Sequence, residues 1–245
     1  PDAVTGGQDS VGLRVPSHPI ALALLQVFDS GIAAPSANRF GRISPTTAAH
    51  VHEELGDRVA MILDGGPCAV GIESTILDFS RDVPEILRPG AITAEDIARI
   101  IGRRPRVRGE AEPSCVAGEA ATHAATTAPA PRVSGALAAH YAPRTPLRLM
   151  NAAQLADHAA VLVGEGSRVA VLAHGVPNPD DSRLIWQAMP ADPAAYAQEL
   201  YASLRALDAL NADFILIEAL PAGPAWRALA DRLGRAAVGS GAAAD

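Results

Sequence analysis

Aromatic residues are scarce in this chain, at 4%. A large core must therefore be assembled from Ala, Val, Leu and Ile, which the 49% hydrophobic content allows. Cysteine is scarcer still. Cys68 and Cys115 are too few for a disulfide framework and lack metal-ligand spacing. A reducing cytoplasm is the simplest compartment for such a chain. No apolar run reaches the ~18 residues that a membrane helix needs, and no secretory leader is recognisable. The sequence opens on Pro1-Asp2-Ala3, without Met and as if in mid-loop, so a piece of something longer is expected. Positive charge is also in short supply: 20 Lys plus Arg stand against 27 Asp plus Glu, a net charge of -7. Broad electrostatic attraction to nucleic acid is not expected, although a local basic patch stays open.

Present instead is a regular alternation of strand-like and helix-like pieces. Over residues 1–104, strands are expected at 11–15, 31–34, 59–63, 74–79 and 85–87. Helices are expected at 19–28, 46–55 and 94–101, with Ser17 and Ser44-Pro45 as start signals. Residues 105–145 change character. An arginine-rich step is followed by a low-complexity Ala, Thr and Pro tract, which reads as a linker. The chain sharpens again at His140-Tyr141-Ala142-Pro143. Residues 146–236 alternate once more: strands at 147–150, 169–173 and 214–217, and helices at 152–159, 193–210 and 226–233. Such alternation predicts a small parallel α/β sheet. A G-x-G-x-x-G loop is missing, and Gly164-Glu165-Gly166 is too short to mean dinucleotide binding. Residues 237–245 read as a frayed tail.

Small polar residues fall at expected strand ends, where ligands bind in open α/β sheets. Arg14 interrupts the apolar run Val11-Gly12-Leu13-Arg14-Val15, with Ser10 just before it. A guanidinium there is either a structural salt bridge or a clamp on a carboxylate or phosphate. Ala34-Pro35-Ser36-Ala37-Asn38 offers a hydroxyl, a carboxamide and backbone N–H groups, and Asn38 equally suits closure of an Asx-turn. Ser44-Pro45-Thr46-Thr47 either caps a helix or presents the N-terminal dipole to phosphate, or does both. Gly71-Ile72-Glu73-Ser74-Thr75 and Arg88-Pro89-Gly90 pair hydroxyls with a second arginine. The histidines are scattered. His50 and His52 face different sides of one helix, so a metal site is not expected. Asp64-Gly65-Gly66 reads as a turn. Hydroxyls, an amide, arginines and backbone donors, without a nucleophile–base pair, suit catalysis by positioning and charge stabilisation, as in phosphoryl or nucleotidyl transfer.

In this order the motifs resemble the YrdC-like domain of threonylcarbamoyl-AMP synthases. His140-Tyr141-Ala142-Pro143 resembles the linker signature of the two-domain form, which precedes a small Rossmann-like domain. The resemblance covers residues 1–104 and 134–236. It implies an α/β fold: a partial YrdC-like twisted mixed sheet with helices over 1–104, a linker with a lid over 105–145, and a small Rossmann-like parallel α/β domain over 146–236. The implied reaction makes threonylcarbamoyl-AMP and pyrophosphate from L-threonine, bicarbonate and ATP, with Mg²⁺ accompanying the nucleotide. The adenylate then serves adenosine 37 of tRNA through a partner transferase, so a strong grip on nucleic acid by this chain is not implied, nor is a membrane.

The resemblance also implies residue roles. Ser10, Ala34 (through its backbone), Ser44, Arg88 and Tyr141 would contact ATP, Tyr141 by folding back from the linker. Arg14, Ser36 and Ser74 would contact threonine, and Asn38 is a further possible contact. The family's Thr-x-Tyr-Gly-Leu region and Lys-x-Arg motif have no counterpart here, which implies that a basic, phosphate-binding part lies outside this sequence. The stretch from Ser134 to Ala139 also lacks a Pro-Gly-Met pattern seen in some members. The alternative is a YrdC-like module that holds nucleotide or RNA without turnover. The carbamoyltransferases that mature hydrogenases fit poorly, because their zinc-finger and acylphosphatase-like segments are absent.

Overall fold

The computed structural model describes residues 1–110 and 130–241. Cys115, His123 and nearly all of the low-complexity tract lie outside the described residues. In chain order the elements are α1 (Asp2–Thr5), α2 (Pro19–Phe28), α3 (Ala48–Leu55) with a 3₁₀ turn at Gly56–Arg58, β1 (Ile76–Asp78), β2 (Glu85–Arg88), α4 (Ala94–Ile101), β3 (Arg106–Val107), β4 (Leu147–Met150), α5 (Ala152–Gly164), β5 (Val169–Ala173), β6 (Ile185–Ala188), α6 (Pro193–Asp208), β7 (Phe214–Glu218) and α7 (Arg227–Gly239). They form two compact units that interleave along the sequence. One comprises Pro1–Arg14 and Ser74–Ala136, the other Val15–Glu73 and Leu137–Asp245.

The first unit holds a small mixed sheet of order β1-β2-β3. β1 runs antiparallel to β2, and β2 parallel to β3. Helix α4 starts where the sequence demands it. Thr93 accepts from the Asp96 N–H while the Asp96 carboxylate accepts from the Thr93 N–H, a reciprocal capping box. The helix lays Ala94 and Ile97 on Ile86 and Val107, with Leu77 and Ile101 at the margin.

The second unit is built on a four-stranded parallel sheet of order β4-β7-β5-β6. All of β5 is buried, as expected of a strand covered on both faces. Alternate side chains divide the core. Ala170, Leu172, Ile215 and Ile217 pack with Tyr196, Leu200 and Leu204 of α6 and Leu229 and Leu233 of α7. Val169, Val171, Ala173 and Leu216 pack with Leu155, Ala159, Leu162 and Val163 of α5. The period-2 alternation of the strands thus sends one set of residues to each helical layer.

The α/β expectation holds, and the residues from 146 onward form the expected parallel sheet with one strand more, β6. Three expected strands, at 11–15, 31–34 and 59–63, are irregular. An extended segment without a neighbour gains no ladder hydrogen bonds, and Leu13, Val15 and Met61 are exposed. The tail expected from 237 begins inside α7, which runs to Gly239, and Ser240 Oγ accepts from the Leu147 N–H at 2.9 Å. Helix α3 starts at Ala48 rather than Thr46, because Thr47, in extended conformation, accepts from the His50 N–H.

Candidate active site

The start of α3 corrects the placement of Ser44. Pro45 is not the first helical residue, and Ser44 lies upstream of the cap instead of at the dipole end. Its hydroxyl donates to Glu73 Oε1 at 2.5 Å. The other Glu73 oxygen, Oε2, accepts from Tyr201 Oη at 2.9 Å and Arg232 Nε at 2.8 Å. Arg232 also donates through Nη2 to the Glu73 carbonyl at 3.3 Å and through Nη1 to Asp231 Oδ2 at 2.7 Å. This guanidinium is fully buried and lies 5.3 Å from the centre of the Tyr141 ring. Tyr141 in turn stacks on Tyr201 with ring centres 5.8 Å apart.

The electrostatics follow from burial and pairing. Burial alone pushes the Glu73 carboxyl up. The Arg232 charge and the Ser44 and Arg232 hydrogen bonds outweigh it and hold the group below the usual carboxylate range. Burial and the adjacent Glu73 charge push the Tyr201 phenol well up, so it stays a donor.

Tyr141, expected as a lid, is 1% exposed and has a left-handed φ of 61°. Its N–H donates to His140 Nδ1, and Ala142 forms a parallel bridge with Arg42. The linker signature is therefore an ordered part of the second unit. Asn38 lies in a bend just before the bridge residue Arg42: its Nδ2 donates to the carbonyls of Arg39 and Arg42 at 3.1 and 2.9 Å, closing a turn. Ala34 and Ser36 are exposed on irregular chain. Asp64 accepts from the Gly66 N–H, so Asp64-Gly65-Gly66 is a turn.

In the first unit Ser74 and Arg88 meet. Arg88 is 5% exposed; its Nε and Nη2 donate to the Ser74 carbonyl at 3.0 and 2.9 Å, and its Nη1 donates to the Ser134 carbonyl. Ser74 itself is exposed. Gly90 makes this approach possible: a Cβ there would lie 2.3 Å from the Thr75 nitrogen and 2.8 Å from the Ser74 carbonyl carbon. Ser10 is half-buried and Arg14 exposed. Arg14 is not in a buried strand, so the desolvation argument for an obligatory partner does not apply to it.

Sequence reasoning missed Arg232, Tyr201 and a second carboxylate, Glu218. The signal for Arg232 was present. Ala228, Leu229, Leu233 and Ala236 are buried on one face of α7, and the spacing puts Arg232 on that face. Glu218 ends β7. Its Oε2 accepts from three successive backbone N–H groups after β5: His174 and Gly175 at 2.8 Å and Val176 at 3.0 Å. Such a nest at the carboxyl end of a parallel sheet is the kind of place where a phosphate binds in dinucleotide folds. Here the chain's own carboxylate fills it, in keeping with the missing glycine fingerprint. Among the described residues no group of three or more His, Cys, Asp or Glu side chains is placed to hold a metal ion, and no helix is long and apolar enough to cross a membrane.

Residues 1–90 match the Sua5–YciO–YrdC family model, described as telomere recombination, and residues 92–238 match the model described as threonylcarbamoyl-AMP synthase, C-terminal domain. The chain belongs to the two-domain threonylcarbamoyl-AMP synthase family. The Bacillus subtilis (strain 168) synthase is 37% identical over 98% of this chain and 67% of its own length. The Schizosaccharomyces pombe synthase is 34% identical over 96% of this chain and 59% of its own. The crystal structure of Pyrococcus abyssi Sua5 complexed with L-threonine superposes with a TM-score of 0.78 at 30% identity, covering 98% of this chain and 67% of that one. The chain thus spans 59% to 67% of the length of these relatives.

Proposed function

We propose that this chain works as an L-threonylcarbamoyladenylate synthase. The observation that carries the reading is its likeness, over nearly its whole length, to synthases of this name, one of which has been crystallised with L-threonine. The threonine amine first combines with bicarbonate, giving N-carboxythreonine and water. A carboxylate oxygen of that carbamate then attacks the α-phosphorus of ATP. The new P–O bond forms as the bond to pyrophosphate breaks, leaving threonylcarbamoyl-AMP. Mg²⁺ enters with ATP as part of the substrate. No protein nucleophile is required, and the work of the chain is to align the reactants and exclude water.

In this reading Arg14, Ser36 and Ser74 contact threonine, and Ser10, the Ala34 backbone, Ser44, Arg88 and Tyr141 contact ATP, with Asn38 beside them. Support differs among them. Ser74 has an exposed hydroxyl on a backbone fixed by Arg88. Ser44 serves by fixing Glu73, and Tyr141 must leave the Tyr201 stack to reach a ligand. Residues 1–104 carry the ATP- and threonine-binding domain, 105–145 the linker and its lid, and 146–236 the Rossmann-like domain. The adenylate passes to a tRNA threonylcarbamoyltransferase in the cytoplasm for adenosine 37.

The test is incubation with ATP, L-threonine and bicarbonate. Pyrophosphate and threonylcarbamoyl-AMP are expected, with release dependent on threonine. RNA binding without threonine-dependent turnover would replace this reading with that of a non-catalytic module.

A further inference from the structure

We propose that Arg205, on helix α6, is a positioning residue for ATP. It acts through the backbone of Ser44. This rests on the reading above that Ser44 contacts ATP, and it gives the C-terminal part of the chain a share in nucleotide binding.

Residues 43 and 44 lie in irregular chain ahead of α3. Carbonyls in such a stretch, where it is buried, need donors from elsewhere. Arg205 supplies them. Its Nη2 donates to the Ile43 carbonyl at 2.5 Å and its Nε to the Ser44 carbonyl at 3.4 Å. These carbonyls belong to the two peptide planes that flank the Ser44 Cα. Holding both sets the direction in which the Ser44 side chain leaves the backbone. Arg42, just upstream, is tied by its bridge to Ala142. The same helix reaches the Ser44 side chain by a second route. Tyr201, one turn before Arg205, donates to one oxygen of Glu73, and the Ser44 hydroxyl donates to the other. Backbone and side chain of one half-buried serine are thus both held from α6. A contact fixed in this way is what alignment of a substrate requires.

The simpler account of Arg205 is a structural strut, since it also faces Glu54 of α3. Geometry weighs against it. Nη1 and Nη2 both lie 3.4 Å from Glu54 Oε2, longer than a good charge-assisted hydrogen bond, whereas Nη2 is in close contact with the Ile43 carbonyl. The guanidinium sits on the backbone first and on the carboxylate second. None of Ile43, Ser44 and Glu54 is read as a threonine contact, so an effect of Arg205 on ATP is separable from one on threonine.

The experiment measures threonine-dependent pyrophosphate release by the full chain for wild type, Arg205→Lys, Glu54→Gln, Ser44→Ala and Arg205→Lys combined with Ser44→Ala. Lysine keeps the charge beside Glu54 but does not reproduce the fork on two carbonyls. Glutamine at position 54 removes the ion pair, keeps an acceptor for the Arg39 N–H and leaves Arg205 on its carbonyls. The expected result is a rise of about tenfold in KM for ATP in Arg205→Lys, with KM for threonine moving less than about twofold and Glu54→Gln close to wild type. In the Ser44→Ala background, lysine is expected to add less than about twofold, because both changes act through one contact. Thermal melts establish that the variants are folded. If Arg205→Lys does not fold, Arg205→Gln combined with Glu54→Gln, which removes both charges together, decides by the same readout. Unchanged KM for ATP in the folded Arg205 variant overturns the inference. So does an equal rise in both KM values, an equal rise in KM for ATP in Glu54→Gln, or full additivity with Ser44→Ala. Unchanged KM for ATP in Ser44→Ala removes the contact on which the inference rests and overturns it too. If wild type itself shows no threonine-dependent release, the proposed function fails, and this inference fails with it.

Discussion

All 20 basic side chains of the chain are arginines, and several are used as forks on backbone carbonyls. Arg88 grips Ser74 and Ser134, Arg232 grips Glu73, and Arg205 donates to the carbonyls of Ile43 and Ser44. An ammonium, with its single strongly hydrated nitrogen, does not reproduce such two-point contacts. Two glycines meet the complementary need for close approach. Gly71 has φ 82°, and a Cβ there would lie 2.2 Å from the Ala197 carbonyl oxygen. Gly90 lies under Thr75. Gly71→Ala is expected to cost about 2 kcal/mol or more, from left-handed strain plus a backbone clash, read as a lowered urea midpoint. Gly90→Ala is expected to weaken threonine binding in calorimetry by displacing the Ser74 backbone, and unaltered affinity would refute that. At this scale the sequence exposed the candidate hydroxyls and arginines but not their partners. Ser44 and Glu73 are 29 residues apart, and Glu73 and Arg232 are 159 apart. Such pairings exist only after the chain has folded.

Helices were the most legible elements, because their signals are local. Residues 19–28 and 94–101 form helices with the expected limits. In α4, Thr93 and Asp96 form the start signal and Gly102, in left-handed conformation, the stop. Thr93→Ala is expected to cost about 1 kcal/mol, seen as a fall of roughly 2–4 °C in Tm; an unchanged Tm would show that the cap is dispensable. Strands were legible only where partners exist. Residues 169–173 and 214–217 read as strands and pair along their length. Residues 11–15 read just as apolar yet pair with no strand among the described residues, and strand character in a sequence is a preference for a half-buried surface that some other segment must supply. Strand β6 was missed because its residues are only partly buried and carry no clean alternation.

For the molecule as a whole, two carboxylates, the half-buried Glu73 and the buried Glu218, link pH to stability. Burial opposes ionisation of Glu73 and Glu218, but Arg232 in one case and three backbone N–H groups in the other hold both below the usual carboxylate range. As pH falls, the unfolded chain takes up these protons first, near an ordinary Glu pKa of about 4.3. Their contribution is therefore complete above that value and is lost below it, as the folded-state groups protonate. Urea midpoints are expected to hold steady from neutral pH to about 5 and then fall, with a shallower fall in Glu218→Gln; an equal slope in the variant would remove Glu218 from the account. The strand order β4-β7-β5-β6 also bears on biogenesis. One of the two inner strands of the parallel sheet, β7, is the last of the four to leave the ribosome. Until residues 214–218 emerge, β4 has no neighbour and β5 has a bare edge, so a nascent chain can hold a half-built layer but cannot close it. The sheet is completed by insertion rather than by growth from one side.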